Sequence, residues 1–189
     1  MTNISVFQAA APLDPALGIK GGSFSIQAGA LLGMIRIQGR AVAQELTTVV
    51  QQHTGLALPE PGTVSRSDMH RLHWLTPQEW LLVTAEGAEH AIATDLAAAW
   101  QGQALYATVI SDSRAVIEVS GPDAPTLLAQ GCALDFHATQ FAVLRSTVTR
   151  FAGVAAMVTR IEGDCFELVV DRALARYVWD WLAESVKGL

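Results

Sequence analysis

The sequence is short of positive charge: 12 Lys and Arg stand against 18 Asp and Glu over 189 residues, a formal net charge of −6. No basic cluster could neutralise a phosphate backbone, so nucleic acid is not expected as a partner. Long apolar runs are missing as well. Hydrophobic residues make up 51% of the chain and the mean hydropathy is +0.31. Yet every run breaks well short of the roughly 18 to 20 residues of a membrane span, and no transmembrane helix is expected. The stretch Met1 to Gln8 lacks the basic region and apolar core of a secretory signal, which points to the cytoplasm. Cysteine is scarce, and in that compartment Cys132 and Cys165 are expected as free thiols. Glycines are not spaced for a phosphate cradle either. Gly18-Ile-Lys-Gly-Gly22 departs from Gly-x-Gly-x-x-Gly and no helix follows directly, so no flavin or nicotinamide site is expected within the chain.

What is present is ample apolar material for a core. Its excess, without a membrane segment, suggests apolar surface covered by another subunit. Residues 1–22, rich in Ala, Pro and Gly and without period, read as an N-terminal arm or edge segment. Alternation makes strands of 23–28 and 32–38. Ala41, Val42, Leu46, Val49 and Val50 fall close to one helical face, with Thr54-Gly55 as the stop. Short strands follow at 63–66, 71–75 and 80–84, the last two as a hairpin, and then a helix over 88–100.

The second part repeats this plan. Strands at 105–110 and 115–119 stand where the first two stood, Ser120-Gly121-Pro122 answers Gln38-Gly39-Arg40, and Thr147 to Arg150 echoes Thr63 to Arg66. The hairpin 157–169 echoes 71–83, with Phe166 in the place of Trp80. The fold class expected is α+β with mainly antiparallel sheets, in two internally duplicated βαβ-rich halves, residues 23–103 and 104–189, packed as one compact unit.

Candidate chemistry gathers between Ser111 and His137: a strand, a helix opened by Pro122, and a turn holding Cys132, Asp135 and His137. In extended backbone Asp135 and His137 would point the same way and could share acid–base work. The alternative is that Asp135 closes the turn after the helix and His137 is solvated. Cys132 lies near a helix C-terminus, where nothing activates a thiol, and Cys165 falls in a predicted turn with no Cys-x-x-Cys partner. His70 and His73, three apart on a strand, face opposite ways and make no ligand pair. Neither a catalytic set nor a metal site is expected. The final helix, 172–186, is expected to bury Leu174, Tyr177, Val178, Trp181 and Leu182 on one stripe, with Trp80 and Trp181 as core residues. Trp179 falls off that stripe, because residues two apart on a helix differ by about 200°, and it reads as an interface anchor.

The ordered set of Asp112-Ser-Arg, Ser120-Gly-Pro-Asp-Ala124, Gly131 to His137, Leu75 to Leu82 and Ala175 to Leu182 resembles the gamma subunit of heterotetrameric sarcosine oxidase over about residues 30–186. That family is in turn similar to the folate-binding domain of the glycine cleavage T-protein, an aminomethyltransferase. The resemblance implies the folate-binding-type fold and a non-catalytic role in assembly or stability. The implied complex oxidatively demethylates sarcosine to glycine, with hydrogen peroxide and a folate-bound one-carbon unit as products. It implies larger flavoprotein subunits as partners, and FAD, FMN, NAD and tetrahydrofolate in those partners rather than in this chain. Asp135 aligns with the T-protein's folate-facing acidic position. The adjoining Asn is Leu134 here, and Phe151 to Ala155 replaces the T-protein's Gly-Gly and Asp-Asp segment, so the resemblance makes Asp135 the relic of a cofactor site. A stand-alone folate-binding enzyme and a scaffold for an unrelated partner are the alternatives.

Overall fold

In the computed structural model, which describes residues 10–39 and 44–188, strand alternation sorts the side chains into layers. The first sheet contains β3 (Leu32–Gln38), β4 (Val64–Arg66), β5 (Arg71–Thr76), β6 (Glu79–Ala85) and β7 (Tyr106–Val109), in the order β4-β5-β6-β3-β7. The second contains β1 (Gly18–Lys20), β2 (Ser25–Ala28), β8 (Arg114–Ser120), β9 (Ser146–Phe151), β10 (Val154–Glu162) and β11 (Cys165–Asp171), in the order β1-β2-β8-β11-β10-β9. Every pairing between these strands is antiparallel.

Helices cover the two outer faces. Ile35, Ile37, Trp80 and Leu82 turn outward from the first sheet onto α1 (Gln44–Thr54) and α2 (Glu89–Ala99), which contribute Leu46, Val50 and Leu96. Ile117, Val119, Phe166 and Leu168 do the same in the second sheet, against α3 (Ala124–Gly131) and α4 (Ala175–Ser185). The intervening residues of the same strands, Met34, Leu81, Val83, Val116, Met157 and Val169, close the space between the sheets. Each fully buried aliphatic or aromatic side chain in these layers contributes roughly 1.5–3 kcal/mol. The result is an α+β sandwich of four layers. Ala41 and Val42, expected on the first helix, lie outside the described residues.

The duplication extends to register. Ile37 pairs with Trp80 as Val119 pairs with Phe166, Arg71 with Val83 as Met157 with Val169, and Trp74 with Trp80 as Arg160 with Phe166. A bulge follows Trp74 in β5, and its counterpart follows Arg160 in β10. Where the copies meet, the contacts are reciprocal: Thr63 bridges Arg145, Val64 N–H donates to Leu144 O (2.9 Å), and Ser146 N–H donates to Gly62 O (3.0 Å). Both acceptors have left-handed backbone, Gly62 at φ 72° and Leu144 at φ 64°. This register corrects one expectation. Arg66 stands opposite Arg71 as Val148 stands opposite Met157, so the counterpart of Thr63 is Arg145 and not Thr147. The likeness of Thr63 to Thr147 is one of residue type and lies two positions out of step with the backbone.

The first strand of each copy is exchanged. β2 pairs with β8 of the second copy, and β7 pairs with β3 of the first. The halves of the chain, 23–103 and 104–189, are therefore not the halves of the sandwich. Within the stretch read as an arm, β1 extends the second sheet and Leu13 is buried in its core. Gly121 makes the β2 crossing possible: at φ +107°, a Cβ on it would stand 2.5 Å from Ser23 O. Asp123 N–H donates to Ser23 O at 3.1 Å, and Ser23 Oγ donates to the Asp123 carboxylate. Ser-Gly-Pro-Asp-Ala is thus a seat for the N-terminal strand. The helix opens at Ala124 with Pro125 in its first turn, and Pro122 belongs to the turn before it.

Trp179 is also corrected. The buried stripe of α4 is Ala175, Val178, Trp179 and Leu182; Trp179 is 5% exposed, whereas Leu174 and Tyr177 are exposed. Trp181 is the partly covered ring, packed edge-on against Phe151 at 5.2 Å. Small Ala175 sets the phase of the helix, letting it sit close on the sheet, so Trp179 anchors this chain's own core and does not present its ring to a partner.

Candidate functional site

The turn after α3 is built around Phe136. This ring is 2% exposed and lies edge-on to Phe141 (5.4 Å) and Phe166 (5.6 Å). Its neighbours therefore point outward. Asp135 is exposed, and its Oδ1 accepts the His137 N–H at 2.8 Å, an Asx turn. His137 Nδ1 lies 2.8 Å from Thr139 Oγ1. The carboxylate thus closes the turn with its own backbone, and the imidazole engages a neighbouring hydroxyl instead of the carboxylate.

Arg160, a residue that the sequence pattern does not single out, holds this loop. Only 4% exposed, it donates from Nη1 to Phe136 O (3.2 Å) and Phe141 O (3.0 Å), from Nε to Gly163 O, and from Nη2 to Asp164. Its guanidinium carbon stands 5.1 Å from the Phe166 ring centre. All three guanidinium nitrogens are thus used for structure.

Neither thiol is activated. Burial pushes the Cys132 thiol above its ordinary range, partly offset by the Leu134 backbone, and Cys132 Sγ contacts Leu128 O at 3.8 Å. Burial raises Cys165 too, with Glu118, Glu167 and Glu162 adding to the effect. Cys165 opens β11 instead of lying in a turn. Both are therefore thiols, not thiolates, at neutral pH.

Between the sheets lie the remaining polar groups. His73 is fully buried, with Nδ1 3.3 Å from both Ser146 Oγ and Thr159 Oγ1, which are themselves 2.9 Å apart; His73 Nε2 has no partner. Burial, reinforced by Arg71, lowers its pKa to about 3, so it is a neutral ring. His70 engages Thr84 Oγ1 at 3.0 Å. Arg71 of β5 reaches across to Glu167 of β11 at 2.8 Å, with both side chains largely covered. Glu118 sits directly opposite Glu167, and its carboxyl is pushed up by burial and by Glu167 while Arg71 opposes.

At the other end the sandwich opens into a cleft of about 270 Å³. Leu75, Leu81, Ile110, Met157 and Val169 form its apolar part. Arg36 lies 2.8 Å from Glu79, which also accepts from Gln38 (2.7 Å), and Arg114 lies 3.7 Å from Asp171. Each cation at the rim faces a carboxylate of its own sheet, so among the described residues the cleft offers mainly apolar surface and no unpaired charge. Asp135 does not line it. The volume falls just short of the roughly 300–1,000 Å³ of ligand pockets. Among the described residues, no three His, Cys, Asp or Glu side chains come together as a metal site.

A sequence profile of the sarcosine oxidase gamma subunit family matches residues 38–187, most of the chain. The chain belongs to the sarcosine oxidase gamma subunit family. It is 27% identical over 146 residues to the sarcosine oxidase subunit gamma of Corynebacterium sp. (strain P-1), covering 77% of this chain and 68% of that one. The subunit gamma of an Arthrobacter species is 29% identical over 113 residues, covering 60% of this chain and 55% of that one. The chain thus spans from just over half to about two thirds of such relatives. Its fold matches a chain of the heterotetrameric sarcosine oxidase from Corynebacterium sp. U-96, solved with pyrrole 2-carboxylate, at a TM-score of 0.83 and 21% identity over 92% of this chain and 89% of that one. The glycine cleavage aminomethyltransferase T of Bartonella henselae shares the fold at a TM-score of 0.62 and 17% identity, over 85% of this chain and 45% of that enzyme. This chain therefore carries the T-protein type of fold. No helix among the described residues is long and apolar enough to cross a membrane.

Proposed function

We propose that this gamma-family chain is a non-catalytic subunit of a cytoplasmic sarcosine oxidase complex. The complex oxidatively demethylates sarcosine to glycine, yielding hydrogen peroxide and a folate-bound one-carbon unit. Larger flavoprotein subunits carry FAD, FMN, NAD and tetrahydrofolate, and this chain supports their assembly or stability. The observation that carries the reading is the use of the candidate polar groups: Asp135, Arg160 and His73 all serve the fold, with carbonyls, hydroxyls and backbone N–H groups as their partners. Asp135 is then the relic of a folate-facing carboxylate.

Co-expression of the complex with and without this chain tests the proposal. Deletion is expected to lower the recovery of the other subunits as one particle and to lower oxidase activity in proportion. Full recovery of an active particle without the chain would reject it. The likeness to the T-protein fold sustains one other reading, a folate-binding aminomethyltransferase-like enzyme. That reading requires saturable tetrahydrofolate binding by the isolated chain, weakened by Asp135→Asn.

A further inference from the structure

Four strands form the sheet edges among the described residues: β1 and β9 of the second sheet, β4 and β7 of the first. An open edge offers a row of backbone donors and acceptors, and soluble proteins defend such edges with charge, proline or a covering segment. Three of the four carry a basic residue, Lys20 on β1, Arg66 on β4 and Arg150 on β9. The residues just before β4 and β9, Thr63 and Arg145, also bridge each other. The fourth edge is undefended. From Leu105 to Ile110 it reads Leu-Tyr-Ala-Thr-Val-Ile, with neither charge nor proline and with four β-branched or aromatic residues, Tyr106, Thr108, Val109 and Ile110.

The duplication shows what belongs beside it. β7 is the counterpart of β2: each is the first strand of its copy, and each is exchanged into the other sheet. β2 is covered on its far side by β1, in the pairs Gly18–Gln27, Ile19–Ile26 and Lys20–Ser25. The corresponding place beside β7 is empty among the described residues. The residues before β7 pack against it as the helix α2 and supply no strand to that place. α2 ends at Ala99 and β7 begins at Tyr106, and the intervening residues are taken up by turns, with Gln103 N–H donating to Trp100 O at 2.9 Å.

The open groups can be named. Ile110 N–H donates to Met34 O at 2.8 Å, so by antiparallel alternation Thr108 and Tyr106 also bond β3. The backbone of Ala107 and Val109 therefore faces the free edge. Beside it Tyr106 is 60% exposed, over a hollow shared with Gln38, Gln78 and Glu79.

We infer that the free edge of β7 is a docking strand for another subunit of the complex, which adds an extended, uncharged, β-branched segment as the sixth strand of the first sheet. This rests on the assembly role proposed above. A second copy of this chain is the poorer occupant. Two four-residue strands bury far less than the roughly 1,200 Å² of a stable specific interface, whereas in a multi-subunit particle the added strand is one part of a larger contact.

Amide hydrogen exchange, read on the whole complex and on the isolated full-length chain, tests this. Ala107 and Val109 are expected to exchange at least about tenfold more slowly in the complex. Thr108→Lys, which gives β7 the charge that the other edges have, is expected to reduce co-purification while leaving the melting temperature of the isolated chain unchanged. Equal, fast exchange in both samples while the chain still co-purifies would overturn the docking strand and leave the assembly role standing. Failure to co-purify at all would remove the assembly role and the docking strand with it. Slow exchange in the isolated chain would also overturn it: if independent of concentration, the chain's own residues cover the edge, and if concentration-dependent, a second copy does.

Discussion

Trp74 faces Trp80 in the first sheet, and at the equivalent pair of the second Arg160 faces Phe166. Arg71 in the first sheet has Met157 as its counterpart, and Glu167 in the second has Leu81. The same backbone has thus been filled with different chemistry at its two ends. One end of the sandwich is spanned by the Arg71–Glu167 pair, and the other, where the equivalent residues are apolar, carries the cleft lined by Leu81 and Met157. Arg71, Arg160 and Glu167 thus stand where the other copy has an apolar or aromatic side chain, whereas His73 and its counterpart Thr159 are buried polar groups in both copies.

The contrast between the copies breaks most severely at Arg160. Arg160→Ala leaves the Phe136 and Phe141 carbonyls without their donor and Phe166 without its cation, a loss of about 3–5 kcal/mol. Denaturant titration measures it, and a loss below about 1 kcal/mol would mean that the loop is held by its phenylalanines alone. Next comes the Arg71–Glu167 pair. Arg71→Met alone strands Glu167 beside Glu118 and is expected to cost about 2–4 kcal/mol, whereas Arg71→Met with Glu167→Leu, which copies the apolar pair Met157 and Leu81 of the other end, should recover most of that loss. A double variant no better than the single one would contradict the equivalence of the two ends.

His73 gives a pH signature. Its folded pKa, about 3, lies below its ordinary value of 6.5, so protonation favours the unfolded chain. The stability held above pH 6.5 is therefore lost as pH falls toward 3, by about 2 kcal/mol between pH 8 and pH 5. In His73→Leu this share of the acid sensitivity should vanish, since Ser146 and Thr159 still bond each other. Unfolding free energies at the two pH values check it. The smallest effect belongs to the paired left-handed residues: Gly62→Ala, at φ 72°, is expected to cost about 1 kcal/mol, measured as a lowered denaturation midpoint.

Much of the fold is legible in alternation and repetition, because each strand's apolar period marks one face and the two copies share it. The exchange of β2 and β7 is not, since a period fixes a strand's faces but not its neighbour. The phase of the last helix is ambiguous in the sequence because two overlapping stripes both contain Val178 and Leu182. The choice between them turns on Ala175, whose small size carries little hydrophobic signal. Arg160 is hidden because a charge in an apolar strand reads as outward-facing, and its burial depends on carbonyls far away in sequence. The turn at Asp135 is visible as one of two alternatives; the inward Phe136 selects between them.

That this chain contributes structure, not chemistry, to the proposed complex is tested most directly by one measurement: the turnover of sarcosine per assembled complex carrying Asp135→Asn and His137→Gln together. Neither substitution disturbs a buried residue, because both positions are exposed. Turnover within about twofold of the unsubstituted complex is the expected result. A fall of more than about tenfold with assembly intact, over about 1.4 kcal/mol of barrier, would place this chain's own residues in the reaction and contradict it.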